Sequence, residues 1–516
     1  MKEEKVIKSL KITSIAFGLI LGILSIFLVL NESFALFTSK TDNVTYSLKT
    51  YKIPTLTSGS GFQNILNVAG YKDKITEVVF EANKDLSTID TSIASFDLSV
   101  KQNKSVMGYM TEDQSTSGMY ILHIAADGDR IYSSSDCSFM FGGFSNAKHI
   151  RNIEMLDISK AISISSMFRN CSNLTSLDVT SFDMRKVINM SGMFYDCKNL
   201  VSLNLSGLNT VNVTDMNSIF YGCKNLVNLD LGGLNTVNVT DMNSMFYCCS
   251  SLTSLDVTSF DTLSVTNMNQ MFAGCSGLTS LDVTCFDTSN VKNMRYMFSG
   301  CRKLTSLDVT NFNTNQVIDM GSMFNSCVAL TSLDVTHFST ENVRDMCAMF
   351  RSCSGLTSLD LSSFNTSSVA DMKRMFSDCT SLSGLDLRAF DTAKVETMDS
   401  MFYNCSGLTN LDLTSFNTSN VTNMAQMFMS CTNLINLDLT SFNTSKVTNM
   451  GGMFSGCRSL LNLNIASFDI KSSATLINMF LNCSNLTTIY ARTNDDADRI
   501  RNSLGFPSGA TVVVKS

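Results

Sequence analysis

The chain has 516 residues, a formal charge of −7, 17 Cys, 31 Met, 34 Phe, no Trp and two Pro. With 38 Lys+Arg against 45 Asp+Glu it lacks the basic excess of a nucleic-acid binder, and 44% hydrophobic residues exclude wholesale disorder. Three histidines (His123, His149, His337) leave little material for imidazole metal sites or general bases.

Lys2, Lys5, Lys8 and Lys11 precede an uncharged run from Ile12 to Leu30, and Ser33-Phe34-Ala35 offers small residues for a cleavage site. That is the plan of a secretory signal, with cleavage expected after Ala35. The run is also nearly long enough to stay as a membrane anchor, the one membrane contact expected. Residues 1–35 are therefore read as a signal peptide or anchor, with the rest outside the cell or on its surface. Residues 36–138 follow as a linker and a β-rich cap. Its strands are expected at Ile75-Thr76-Glu77-Val78-Val79-Phe80 and Met119-Tyr120-Ile121-Leu122-His123-Ile124.

From residue 139 to 490 the sequence repeats. Phe recurs every 26 residues from Phe168 to Phe480, Cys from Cys171 to Cys483, and Leu from Leu174 to Leu486. A fixed period in the twenties, without gap or insertion, predicts units that each stack on their neighbours. Within one unit, Leu281 and Val283 alternate with Ser280, Asp282 and Thr284, which predicts a short strand. Asp287-Thr288-Ser289 offers helix N-caps, and Val291, Met294, Met297, Phe298 and Cys301 fall at steps of three and four, which predicts a helix of about three turns. The expected fold is an α/β solenoid of about 13 units, one short parallel strand and one short helix in each, behind the N-terminal β cap. Residues 491–516 are read as a C-terminal cap, with a charged helix over 495–504 and a last strand over 511–514.

The unit Met-Phe-x-x-Cys-x-x-Leu-x-x-Leu-Asp-(Val/Leu)-Thr-x-Phe-(Asp/Asn)-Thr-x-x-Val-x-x-Met, intact from Met271 to Met294 and from Met427 to Met450, resembles the BspA-like leucine-rich repeats of bacterial surface proteins. The resemblance implies a leucine-rich-repeat fold and a secreted or cell-surface protein acting in adhesion to host proteins or to other cells. One departure is the Phe column (Phe182, Phe260, Phe286) that replaces the buried Asn column of ordinary leucine-rich repeats. An aromatic stack is expected to support the turn there.

The Cys column is expected to be buried free thiols, because in-register side chains leave in parallel directions that suit a disulfide poorly. The Met and Phe columns are read as core. Asp178, Asp230, Asp256, Asp282, Asp308, Asp334, Asp360, Asp386, Asp412 and Asp438 are expected to point outward and form the candidate partner-binding face. Solvation, partner binding and cation binding remain open for them. No catalytic, cofactor-binding or metal site is expected, and the chain is not read as an enzyme. The expected partner is a protein or glycan on host or neighbouring cells. The competing expectation is a self-assembling component of a surface layer or matrix.

Overall fold

The computed structural model describes residues 33–38 and 47–515. The lysine-rich start and the apolar run of the expected sorting segment lie outside the described residues. Among the described residues, no helix is long and apolar enough to cross a membrane. The chain divides into two compact units, residues 1–137 with 150–161 and residues 138–149 with 162–516.

In the first unit β1 (Ser33–Thr38) pairs antiparallel with β2 (Ser47–Lys52). Helix α1 (Gly59–Ala69) starts where Ser58 Oγ accepts from the Gly61 N–H and stops at left-handed Gly70, and it buries Phe62 and Leu66. A sheet follows from β3 (Ile75–Glu81), β4 (Ser95–Asp97), β5 (Met107–Glu112) and β6 (Tyr120–Ala125) in the order β4–β5–β6–β3. The two strands read from the sequence are β3 and β6, which run parallel. Alternation places Val78, Phe80, Met110, Leu122 and Ile124 on one fully buried face. Strand β7 (Ile131–Tyr132) comes next, β8 (His149–Arg151) lies at the far edge beside β3, and β9 (Leu156–Asp157) pairs parallel with β7.

In the second unit the 26-residue copies lie in register against one another. Strands β10 (Ser176–Asp178), β11 (Ser202–Asn204) and β12 (Asn228–Asp230) pair parallel, Leu177 with Leu203 and Leu203 with Leu229. Strands β13 (Asn410–Leu411) and β14 (Asn436–Leu437) repeat the pattern, as does β15 (Asn462–Asn464) with β16 (Thr488–Ala491). A second ladder of parallel bridges joins the coils at Ser163, Asn189, Asp215, Asp241 and onward to Thr475, one bridge per period. Between the ladders the Phe rings from Phe141 to Phe480 stack coil upon coil, centroids 5.5–6.0 Å apart and planes within 15° of parallel. Offset aromatic pairs of this kind add about 0.5–1.5 kcal/mol each beyond area burial. Helix α2 (Asn494–Arg501), capped by the Thr493 hydroxyl, and β17 (Thr511–Val514), parallel to β16, finish the chain close to where the sequence placed them.

The expected α/β solenoid, with one strand and one helix in every unit, does not form: among the described residues no strand occurs between β12 and β13, and the Leu281–Val283 segment read as a strand is not one. Among the described residues the only α-helices are α1 and α2, and both lie outside the repeated units; the rest of the regular structure is a set of small sheets, bridges and two short 3-10 helices at Lys72–Lys74 and Ile153–Met155. The segment read as a helix, Thr288 to Cys301, is a chain of turns. Its N–H groups alternate in destination: Met297, Ser299 and Cys301 donate three residues back, whereas Met294, Tyr296, Phe298 and Gly300 donate to Asp319, Gly321, Met323 and Asn325 on the next coil at 2.7–3.0 Å. The physical reason is width. A helix is about 10 Å across with side chains, whereas the bridge ladder sets neighbouring coils about 4.8 Å apart, so helices cannot stack at that spacing without splaying. Turns can. The Asp287-Thr288-Ser289 signal starts a turn in which Asp287 Oδ1 accepts from the Ser289 N–H, while the Thr288 hydroxyl donates to the Asn313 carbonyl one coil on.

Each chain of turns needs two left-handed residues, which explains a small-residue bias in the sequence. One column holds Asn170, Asp196, Gly222, Cys248, Gly274, Gly300, Ser326 and Ser352, all with φ between 55° and 76°. A side chain at such a φ costs about 1–2 kcal/mol. Gly300→Ala is therefore expected to lower stability by about 1 kcal/mol in denaturant unfolding of the full chain. Ser352→Ala, at the equivalent place, already carries a Cβ and is expected to change it by less than about 0.5 kcal/mol.

Candidate functional site

All ten aspartates of the expected face are exposed, and each closes a local turn. Asp282 Oδ1 accepts from the Thr284 N–H at 3.0 Å and from its hydroxyl at 2.6 Å. The same two bonds recur at Asp178, Asp256, Asp308, Asp334, Asp412 and Asp438. Asp230 accepts from the Gly232 N–H, Asp360 from the Ser362 N–H, and Asp386 binds the Arg388 guanidinium. The hydroxyl bonds hold the carboxyls of Asp178, Asp256, Asp282, Asp308, Asp412 and Asp438 below the usual range. At Asp386, Arg388 brings the value to about 2. Asn204, one coil after Asp178, makes the same turn to the Ser206 N–H, so the turn needs the acceptor oxygen and leaves the charge free for another use.

A second polar column, which the sequence reading did not pick out, runs half-buried along the bridge ladder. Asn189, Asp215, Asp241, Asn267, Asn293, Asp319, Asp345, Asp371, Asn423 and Asn449 each accept through Oδ1 from the backbone N–H two residues on. These side chains support the turn by amide-type hydrogen bonding, so the expected replacement of an Asn column by Phe holds only in part: the Phe286 column is buried, and an Asn/Asp column exists beside it. Burial raises the carboxyls of Asp215, Asp319 and Asp371.

This second column holds the most singular charge arrangement in the repeats. Arg295 lies across Gly321 and donates to Asp345 at 2.5 Å, 50 residues on, while also meeting Asp319 at 3.4 Å. A Cβ at Gly321 would stand 2.6 Å from the Arg295 Nη1, so the missing side chain clears the path. Beyond it the donor atoms of Asp345, Cys347 and Asp371 lie within 4.8 Å of one another, and Lys373 reaches Asp399 at 3.5 Å. The Cys347 thiol is pushed up to about 11, first by burial and then by Asp371 and Asp345. With Asp345 already held by arginine and a protonated thiol between the carboxylates, the group acts as an electrostatic staple over three coils. Its signal in the sequence is the run Arg295, Gly321, Cys347, Lys373, Asp399 at a position that elsewhere carries Asn217, Asn243 and Asn269.

All seventeen cysteines are free. In each column member the Sγ donates to the Phe carbonyl of the preceding coil, from Cys171 to Phe141 through Cys483 to Phe454, at 3.0–3.3 Å. Burial pushes Cys301 and Cys353 up to about 12. In the first unit Thr111 Oγ1 meets His123 Nε2 at 2.9 Å, and His123 Nδ1 meets Glu81 Oε1 at 3.3 Å. This order resembles a hydrolytic relay. Glu81, however, is also held by the Tyr109 hydroxyl at 2.7 Å and by the Lys84 ammonium at 3.6 Å, and the His123 ring stacks on Tyr109 at 4.5 Å. The cluster satisfies one half-buried carboxylate.

Asp215→Asn keeps the acceptor for the Asn217 N–H and removes a charge that burial and Asp241 disfavour. A raised folded-state value means the native fold favours the protonated form, so the cost of the charge is absent below the unfolded value near 3.9 and present once pH rises through the folded value. The variant should gain on the order of 1 kcal/mol at pH 7, the repulsion of two charges one coil apart in water, and nothing at pH 3, read by denaturant unfolding. Thiol labelling of the native chain should modify Cys285, the one exposed cysteine, and reach the column thiols only in denaturant.

No curated protein matches this chain. Its repeats match the model of a family described as Mycoplasma protein of unknown function, DUF285, over residues 135–254, 227–333, 305–409, 327–434 and 371–494. Each match spans about four of the 26-residue coils, and their overlap reflects the ability of one coil to substitute for the next. Taken together they cover the stack from residue 135 to 494, and the chain is a repeat protein belonging to the DUF285 family.

Proposed function

We propose that this protein is an exported, cell-surface scaffold of the BspA-like kind that adheres to a protein or glycan on host or neighbouring cells through its Asp column, and that it performs no catalysis. The observation that supports the reading is the ten-member column of exposed carboxylates from Asp178 to Asp438. In-register stacking spaces its members at about 4.8 Å per coil, so the column extends for about 50 Å. Hydroxyls at Thr180, Thr258, Thr284, Thr310 and Thr336 lie beside it. An extended charged row fits a macromolecule better than a small molecule, which prefers a concave pocket. Export follows from Lys2 to Leu30 read as a sorting segment.

The near-identity of the coils favours a second reading, assembly of copies into a surface layer or matrix. Substitution of Asp282, Asp308, Asp334 and Asp360 by Asn separates the two. Asn204 makes the same turn, so the variant keeps its fold. On the adhesion reading, saturable binding of the exported protein to host cells weakens at least tenfold, or about 1.4 kcal/mol. Self-association in sedimentation without cell binding supports assembly instead, and retained binding at full strength removes the Asp column from the mechanism.

A further inference from the structure

Two lysines of one column line a single groove. It is a surface groove of about 560 Å³ crossing four successive coils, lined by Ser368, Ala370, Lys394, Glu396, Asn420, Thr422 and Lys446. It opens because of what its first coil carries: where the preceding coil has exposed Asn342 and Arg344, this one has half-buried Ser368 and Ala370. Lys394 and Lys446 occupy one column two coils apart, about 10 Å at strand spacing. The Lys446 ammonium donates to Asn420 Oδ1 at 2.7 Å, and the Asn420 amide donates to the Ala393 carbonyl at 2.7 Å, which fixes the ammonium at the groove. Among the described residues, Lys394, Glu396 and Arg344 make no ion pair.

We propose that this groove binds an extended acidic glycan, with carboxylates of separate sugars on Lys394 and Lys446 and sugar hydroxyls on Ser368, Glu396, Asn420 and Thr422. The proposal deepens the adhesion reading and rests on it, but it uses a different surface from the Asp column. The lining favours a glycan over an acidic peptide. It offers hydroxyl, amide and carboxylate partners and no arginine, whereas recognition of an acidic peptide uses arginine clusters, apolar side-chain pockets or an unpaired backbone edge. The backbone here is already used: the Glu396 N–H donates to the Ala370 carbonyl at 3.0 Å and the Thr422 N–H to the Glu396 carbonyl at 2.9 Å. Glu396 as acceptor suits sugar hydroxyls and selects against a ligand that is anionic throughout.

The test uses the full chain with a hyaluronan decasaccharide, read by calorimetry, beside polyglutamate of equal charge. The expected result is saturable binding of the glycan that falls as salt rises. It should weaken at least tenfold in Lys394→Gln/Lys446→Gln and stay unchanged in Lys303→Gln, an exposed lysine of another column. Asn342 and Asn420 stand in the Lys394 column, so glutamine fits there, and an unchanged melting curve confirms the fold. Polyglutamate bound as tightly as the glycan, absent glycan binding, or a double variant that binds like the parent each overturns the proposal. Cell adhesion that persists without glycan binding overturns this proposal alone. A parent chain that neither adheres to cells nor binds the glycan overturns the adhesion reading with it.

Discussion

The spacing of one coil on the next governs this molecule. Parallel bridges at the Asn/Asp column hold one flank of each 26-residue coil at strand distance from its neighbour, and short strands at the Leu-Asp segment hold the other flank in coils toward either end. Everything between the flanks must fit that spacing. A helix is too wide, so the segment from Thr288 to Cys301 becomes turns whose N–H groups are divided between their own coil and the next. The stacked phenylalanines fill the interior at 5.5–6.0 Å, offset enough to exceed the strand spacing.

The same constraint explains the chemistry of the columns. A buried thiol above a carbonyl repeats because each coil presents a Phe carbonyl at the same place, and the S–H fills an acceptor site that water cannot reach. A half-buried acceptor at the ladder repeats because each turn leaves one N–H in need of an oxygen. Asn and Asp both serve, and the choice sets local charge without altering the fold. Asp215 and Asp241 stand in succession with no ion pair among the described residues, whereas at Asp319, Asp345 and Asp371 the burial cost is offset by Arg295 reaching over Gly321. The Arg295, Gly321 and Cys347 substitutions thus form one matched set.

The exposed columns follow from the same constraint. Exposed positions lie outside the packed core, so they vary in chemistry: an acidic row interrupted at Asn204 in one column, lysines, asparagines and small residues in another. The acidic row extends through most of the coils, whereas the groove around Lys394 and Lys446 is confined to four. A long row suits avidity, since weak contacts repeated along one partner add through effective concentration. A short groove suits discrimination.

The sequence by itself determined the period, the register and the core. Phe298, Cys301, Met294, Met297 and Val291 are all fully buried, as their spacing required, and α2 and β17 lie close to where charge and β-branching put them. It also showed the outer aspartates as a column. Only the tertiary structure decided the backbone between Thr288 and Cys301. Steps of three and four bury the same side chains whether the N–H groups bond along a helix or across to the next coil, so burial periodicity cannot separate the two. The destination of those bonds depends on a neighbour 26 residues away. The staple from Arg295 to Asp345 stayed hidden for the same reason: residues 50 apart meet only because a single coil intervenes at strand spacing and that coil carries glycine.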